Sequence, residues 1–252
     1  MAEKQILTIG YTIPGFDDNR IDFYNGKSLM DGDILLISPG TLEPRGHWVS
    51  FTVRDGGCYD VDASKTYKQK IFSLKKEVED HLNTGKNVFV FLTKKEDYSL
   101  SSDVSTEKKG MTTYISDTAS NYDFLPINLG KLTSAEGTHV EFNGNPLFKD
   151  FYEKFHANLE YKLYIENFSG NQVIFTGKDK SKILGAIYKV KKGHIIVLPF
   201  LNYSEKKFTE RKESKSYWTA DAVKFGKILV KAIKDIDQNL RSSGEKPPLL
   251  TG

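Results

Sequence analysis

The hydrophobic positions of the chain predict strands that are covered on both faces, alternating with amphipathic helices. Four apolar runs hardly alternate with polar residues, as is typical of strands in the centre of a layered sheet. These runs are Ile6–Ile9, Asp33–Ser38, Asn87–Leu92 and His194–Leu201. Turn residues bound the second run, with Asp31-Gly32 before it and Pro39-Gly40 after it. We therefore expect these four runs to form the core strands of the protein.

Helical spacing marks two long segments and one short one. In the first long segment the apolar residues recur at intervals of three and four, which places them on one helix face: Tyr67, Ile71, Leu74, Val78 and Leu82. Ser64 is the predicted N-cap of this helix, and Gly85 is its predicted stop. Further helices are predicted over 219–240 and 146–155. The first helix lies between two apolar runs, and this order is typical of a βαβ unit with parallel strands.

The late part of the chain predicts an antiparallel hairpin. Ile183–Val190 and His194–Leu201 flank Lys191-Lys192-Gly193, a short turn that contains glycine. Weaker strand patterns occur over 48–53, 138–142, 159–165 and 173–175. Together these elements predict an α/β three-layer sandwich with a mostly parallel central sheet and a late antiparallel hairpin.

The pattern predicts a single α/β domain over residues 1–241. Within it, residues 94–110 are charged and rich in serine, without periodicity, so we expect a flexible insertion near 94–120. Residues 242–252 contain Ser242-Ser243-Gly244 and Pro247-Pro248, the composition of a linker. Such a tail suggests a fragment of a longer protein or a disordered terminus.

Composition excludes several classes of protein. The chain has 252 residues, of which 38% are hydrophobic and 27% charged, and its formal net charge is +3. A single cysteine excludes an intrachain disulfide and any cysteine-rich metal site. The N-terminus has no long apolar core of a signal peptide, and no stretch approaches the roughly 20 apolar residues of a membrane span. We expect a cytoplasmic protein that requires no cofactor and does not contact a membrane.

Residues at the carboxyl ends of the predicted core strands are the candidate ligand-binding residues. Open α/β sheets bind ligands in the crevice beyond these ends. The residues are Gly10, Tyr11, Pro39, Gly40, Thr93, Asn202 and Tyr203.

Motifs for catalysis are weak in this chain. Cys58 is the only thiol, but it lies in DGGCYDVD, where no strong strand precedes it and nothing pairs it with a histidine. The stretch Asn25-Gly26-Lys27-Ser28 contains the end of a phosphate loop without the leading glycine or strand. We expect a packing cysteine and an ordinary turn.

Two sets of charged residues support alternative functions. The loop aspartates would hold a magnesium ion if folding brought them together, although such residues more often cap helices and turns; they are Asp17, Asp18, Asp31, Asp33, Asp60 and Asp62. Three lysine-rich segments would form a basic rim if they lay at one end of the sheet: Lys178–Lys182, Lys189–Lys192 and Lys206–Lys215. Acidic residues are interspersed among these lysines, so a nucleic-acid partner is not favoured.

The chain resembles the class I glutamine amidotransferase-like superfamily, a flavodoxin-like α/β sandwich. The resemblance rests on SLMDGDILLISPG, on a long helix that leads into GKNVFVFL, and on the block ILGAIYKVKKGHIIVLPF. Enzymes of that superfamily carry a cysteine elbow and a His-x-Glu pair. Here Thr93-Lys94-Lys95 follows NVFVFL, and Asn202-Tyr203-Ser204 follows HIIVLPFL. The resemblance therefore implies a degenerate relative without amidotransferase activity.

The leading hypothesis is a non-catalytic binding or protein-interaction domain. Its expected partner is another protein subunit, within a larger bacterial complex of the defence type in which this chain is a subunit or an N-terminal part. A metal-dependent hydrolase or nucleotide-processing enzyme that uses the loop aspartates is the first alternative. Nucleic-acid binding through the lysine-rich segments is the second.

Overall fold

The computed structural model describes residues 4–24, 26, 28–51, 56–108, 111–203, 209–212 and 215–243. These residues form three α-helices, α1 (Val61–Asn83), α2 (Lys149–Phe155) and α3 (Ala220–Ser243). They also form sixteen β-strands: β1 (Ile6–Ile9), β2 (Arg20–Ile21), β3 (Ile34–Ile37), β4 (Trp48–Phe51), β5 (Gly56–Tyr59), β6 (Asn87–Leu92), β7 (Asp97–Lys108), β8 (Met111–Ser120), β9 (Lys131–Gly137), β10 (Glu141–Phe142), β11 (Leu159–Glu166), β12 (Gln172–Thr176), β13 (Ile183–Val190), β14 (Gly193–Leu201), β15 (Thr209–Lys212) and β16 (Lys215–Trp218). None of the described helices combines the length and apolarity that a membrane span requires.

The main sheet has ten strands and mixed direction. Its order is β10-β12-β13-β11-β14-β6-β3-β1-β2, and β9 pairs with β11. The five strands β14, β6, β3, β1 and β2 pair in parallel, while β9 to β13 join by antiparallel pairings. The predicted α/β class and the late hairpin of β13 with β14 are confirmed. The predicted mostly parallel sheet is not what forms, because the second half of the chain adds its strands in antiparallel fashion.

Two smaller sheets lie outside the main one. The strands β4, β5, β7 and β8 form a four-stranded sheet, and β15 pairs with β16. The pattern predicted no regular element between 94 and 110, but β7 and β8 occupy most of 97–120. The strands were missed because this serine-rich sequence lacks the apolar alternation that marks a half-buried strand.

Apolar side chains fill the space on both faces of the parallel strands. In β14, Ile195 and Val197 pack in one hydrophobic cluster with α1, and Ile196 and Leu198 pack in a second cluster with α2 and α3. The same division occurs in β3, β6 and β1. The prediction that these strands are covered on both faces is confirmed, and it explains why their sequences barely alternate.

The helix α1 follows the predicted apolar stripe but begins earlier than predicted. Asp60, not Ser64, is its N-cap: the Asp60 carboxylate accepts a hydrogen bond of 2.7 Å from the backbone N–H of Ala63. Ser64 lies inside the helix and donates its hydroxyl to the Tyr59 carbonyl at 3.1 Å. Gly85 follows the helix with φ +82°, as expected of a left-handed C-terminal stop.

A buried charged cluster closes the amino-terminal end of the parallel strands. Asp237 of α3 is fully buried, and its carboxylate accepts hydrogen bonds from Lys4 Nζ at 2.8 Å, Asn87 Nδ2 at 2.9 Å and Arg241 Nε at 3.0 Å. Arg241 also donates to the Asp33 carbonyl at 2.8 Å. This cluster ties α3 to the starts of β3 and β6. We call these five residues the Asp237 cluster.

The stability of the fold is expected to depend on His81 below neutral pH. Neither ring nitrogen of His81 has a partner among the described residues. Burial, followed by the charges of Lys86 and Arg241, lowers its pKa from 6.5 to about 4. Between these pH values the unfolded chain binds a proton that the folded chain does not, so stability is lost as the pH falls.

Replacing His81 with leucine is therefore expected to flatten the acid limb of the stability curve, measured by urea unfolding from pH 7 to pH 4.5. A remaining slope is expected from His194, because burial also lowers its pKa to about 4. Gln238→Leu is the control, since it places leucine at an exposed position that carries no titratable group and should keep the wild-type limb. An unchanged acid limb in His81→Leu would show that His81 titrates in the same way in both states.

Candidate functional site

A cavity of about 510 Å³ lies beyond the carboxyl ends of the parallel strands. We call it the strand-end cavity. Its lining residues lie within, or in the segments directly after, six neighbouring strands of the main sheet: β11, β14, β6, β3, β1 and β2. The lining residues are Gly10, Tyr11, Thr12, Arg20, Ser38, Gly40, Thr41, Thr93, Lys94, Glu96, Lys162, Phe200, Leu201, Asn202 and Tyr203.

Six of the seven candidate residues from the sequence line this cavity: Gly10, Tyr11, Gly40, Thr93, Asn202 and Tyr203. The seventh, Pro39, is buried outside the lining, where its carbonyl accepts a hydrogen bond of 3.1 Å from Asn121 Nδ2. The six meet because parallel strands end at the same edge of a sheet. Their role in binding a ligand stays a prediction.

The turn after β1 brings its backbone into close contact with the turn after β3. Gly10 adopts φ +71°, and a Cβ atom at this position would lie 2.2 Å from Thr41 Oγ1 and 2.3 Å from the Ser38 carbonyl oxygen. Any other residue would therefore be strained and would clash with backbone. Glycine at position 10 gives the cavity its narrow floor between β1 and β3.

Two tyrosines of the lining connect the segment after β1 with the end of β14. Tyr11 donates its hydroxyl to the Leu201 carbonyl at 3.2 Å, and Tyr203 donates to the Thr12 carbonyl. The Tyr11 ring packs 4.8 Å from Phe91 and 5.6 Å from Tyr203, measured between ring centroids. Burial, with a further contribution from Tyr203, holds the pKa of Tyr11 well above its usual value. The Tyr11 hydroxyl is thus a neutral structural donor.

Thr93 supplies an unusual polar group at the cavity wall. Its backbone N–H donates to the Tyr122 hydroxyl at 3.0 Å, and that hydroxyl donates to the Thr93 carbonyl at 2.7 Å. The side chain is 7% exposed, and Oγ1 has no hydrogen-bond partner among the described residues. Buried hydroxyls are normally paired, so the lack of a partner for Thr93 Oγ1 is unusual, but this atom is buried too deeply to meet a ligand in the cavity.

The charged lining of the cavity is mainly basic. Lys94 and Glu96 pair with each other at 2.7 Å and neutralise each other. Arg20 has no carboxylate partner among the described residues. Lys162 Nζ lies 5.5 Å from the centroid of the Phe200 ring, within the range of a cation–π contact. Sequence reasoning missed Arg20 and Lys162 because they lie within β2 and β11, which flank the strands of the predicted crevice.

The single thiol is placed as a packing residue. Cys58 is buried in β5, and burial raises the pKa of its thiol. A nucleophilic cysteine needs a lowered pKa, so this environment does not activate it. In the stretch Asn25–Ser28, which was predicted to be an ordinary turn, Asn25 and Lys27 lie outside the described residues.

Three of the loop aspartates accept hydrogen bonds from groups of the protein itself, and one of the three caps a helix. Asp60 caps α1, Asp17 accepts hydrogen bonds of 3.0 Å from Trp218 Nε1, and Asp33 accepts one of 3.0 Å from the Gln5 N–H. Asp33 lies at the amino-terminal end of β3, opposite the strand-end cavity. Among the described residues, no three histidine, cysteine or carboxylate side chains lie close enough together to hold a metal ion.

The lysine-rich segments do not share one end of the sheet. Lys178–Lys182 leads into β13, while Lys189–Lys192 lies at the end of the same strand and in the turn to β14. The two segments are therefore separated by the length of β13. Lys206–Lys215 lies partly outside the described residues. Lys178–Lys182 and Lys189–Lys192 therefore do not form a common basic rim.

The fold defines this chain as an α/β protein with a large mixed sheet. No protein-family profile matches the chain, and no curated protein matches it.

Proposed function

We propose that the chain is a non-catalytic binding domain, a subunit of a larger protein assembly, and that a small-molecule ligand occupies its strand-end cavity. The observation that carries the proposal is the convergence of six predicted strand-end residues on one cavity, at the edge where open α/β sheets bind ligands. The side chains of Arg20 and Lys162 in the same lining add support, because they supply polar groups for a ligand.

The side chains of the lining favour binding over catalysis. Among the described residues they include no cysteine and no histidine, and their single carboxylate, Glu96, is held by Lys94. A nucleophile and a base within hydrogen-bond reach are what covalent catalysis requires. The two tyrosines that border the cavity are engaged with backbone carbonyls.

We also propose a distant, degenerate relation to the class I glutamine amidotransferase-like superfamily, with its flavodoxin-like arrangement. Five parallel strands and a site at their carboxyl ends support this relation. Thr93 and Asn202 stand at the strand ends where the resemblance implies the absent cysteine and His-x-Glu. The proposed setting is a bacterial assembly of the defence type, with another protein subunit as the partner.

The proposed function is tested by filling the cavity. Asn202 is exposed at the lining, so Asn202→Trp places a large ring there and removes one exposed hydrogen bond, which Asn202 Nδ2 donates to Glu160 at 2.9 Å. We expect compounds from a defined panel of amino acids, nucleotides, sugar phosphates and organic acids to raise the melting temperature of the wild type but not of Asn202→Trp. Asn143→Trp is the matched control, because Asn143 is exposed and lies outside the lining.

Three outcomes would contradict the proposal. One is the absence of any binding compound, and another is equal binding by Asn202→Trp. The third is chemical conversion of the bound compound, detected by mass spectrometry. Stabilisation by Mg²⁺ or Mn²⁺ that is lost in Asp60→Asn would instead favour the metal-dependent hydrolase, since asparagine still caps a helix.

A further inference from the structure

We infer that the strand-end cavity binds a small organic anion that carries a phosphate or carboxylate group and a planar ring. This inference rests on the proposed function and adds the chemical class of the ligand. It follows from the charges that remain uncompensated in the lining, from the shape of the cavity and from its aromatic wall.

The charge of the lining favours an anion. Lys94 is neutralised by Glu96 at 2.7 Å, which leaves Arg20 and Lys162 as the cations that face a ligand. The nearest carboxylate oxygen to Lys162, from Glu160, is 3.8 Å from Nζ, so this pair is loose. A guanidinium binds phosphate and carboxylate through parallel N–H donors, and an ammonium adds a point charge.

The order of the strands favours an extended ligand over a small inorganic ion. The lining is drawn from β11, β14, β6, β3, β1 and β2, which are successive neighbours in the sheet. Neighbouring strands lie about 4.8 Å apart. Lys162 belongs to the first strand of this series and Arg20 to the last, so an ion the size of phosphate reaches one of the two cations and leaves the rest of the cavity empty.

The wall near Lys162 supplies surfaces for a ring. Phe200 and Tyr203 line the cavity and are half-buried, because Lys162 covers part of the Phe200 ring and three other aromatic rings pack on Tyr203. A ligand ring would contact the part of each ring that is exposed. Aromatic faces stack on planar ligands without selecting one heterocycle, and a neighbouring cation strengthens the contact. Rings and anionic groups occur together in nucleotides and in aromatic carboxylates.

The larger described cavity, of about 610 Å³, is less suited to anions. It lies between β8 and β9, and three lysines line it. Two of them are already paired, Lys95 with Asp97 at 2.7 Å and Lys131 with Glu166 at 2.8 Å. The uncompensated positive charge is therefore greater at the strand ends.

Isothermal titration calorimetry with four probes tests the inference: ADP, adenosine, inorganic phosphate and benzoate. We expect ADP or benzoate to bind, with adenosine and inorganic phosphate at least about tenfold weaker than the better of them. If ADP binds and benzoate does not, the ligand carries a phosphate group. If benzoate binds and ADP does not, it carries a carboxylate group. For ADP, the longer of the two probes, Arg20→Gln and Lys162→Gln should each weaken binding by about tenfold or more; for benzoate, whose single carboxylate reaches one cation, one of the two variants should do so.

Lys149→Gln is the matched control, because Lys149 also faces a carboxylate at 3.8 Å but lies outside the lining. Binding of ADP and benzoate that is unaffected by Arg20→Gln and Lys162→Gln would overturn the inference, as would adenosine binding as tightly as ADP. A neutral compound that is displaced by Asn202→Trp would overturn the anionic class while the proposed function stands. If neither the four probes nor any compound of the earlier panel binds, the inference and the proposed function both fail.

Discussion

The Val197→Asp variant is expected to lose a large part of the stability of the fold or to unfold altogether. Val197 is fully buried in β14, between Ala186 of β13 and Val90 of β6, and its side chain packs in the cluster that includes α1. An aspartate there would introduce a charge with no partner, at a cost of about 3–5 kcal/mol. Ordinary domains have a total stability of only about 5–15 kcal/mol. Circular dichroism should show no cooperative thermal transition, or one far below that of the wild type.

The control for this variant places the same carboxylate on an exposed strand position. Ser134 lies in β9 with an exposed side chain, so Ser134→Asp should melt close to the wild type. Wild-type melting of Val197→Asp would contradict the burial of β14 on both faces. That result would remove the basis for the strand-end cavity as well, because β14 forms one of its sides.

The Asp237→Ala variant is expected to have the second-largest effect, a loss of about 3 kcal/mol or more in the free energy of unfolding. The substitution removes the acceptor shared by Lys4, Asn87 and Arg241 in the Asp237 cluster. The side chains of Lys4 and Arg241 are 34% and 31% exposed, so both regain some hydration, but the buried Asn87 amide does not. Urea unfolding at pH 7 measures the loss.

Asp235→Ala is the control for Asp237→Ala, since Asp235 is an exposed aspartate on the same helix. We expect its free energy of unfolding to stay within about 0.5 kcal/mol of the wild-type value. If the two variants unfolded at the same midpoint, the Asp237 cluster would not be a significant source of stability.

Local pattern was sufficient to predict the central strands and the long helices. The runs of β3, β6 and β14 are apolar because both faces are covered, and burial alone produces that pattern. The direction of a strand and the identity of its neighbours do not produce a pattern in the local sequence. β11 alternates as predicted, yet its pairing with β9, β13 and β14 depends on residues far apart in sequence. The mixed character of the sheet was for this reason not predictable from periodicity.

The candidate site, like the fold, was predictable from the sequence only in part. Gly10, Thr93 and Asn202 follow apolar runs, and a general rule about strand ends was enough to bring them together. Arg20 and Lys162 have ordinary polar surroundings in sequence, and only the order of the strands places them at the cavity. The N-cap of α1 shows the same limit, because Ser64 and Asp60 are equally good caps by residue type.

The tyrosine hydrogen bonds above the cavity have a consequence for truncated forms of the protein. Tyr11 and Leu201 are 190 residues apart, and Tyr203 and Thr12 are 191 residues apart. Neither half of the chain carries both partners of either bond, so a proteolytic fragment or a nascent chain that ends before β14 has no cavity to offer. Ligand capture would then report that β1 and β14 have met, and so distinguish a folded molecule that contains both strands from a fragment that lacks one of them.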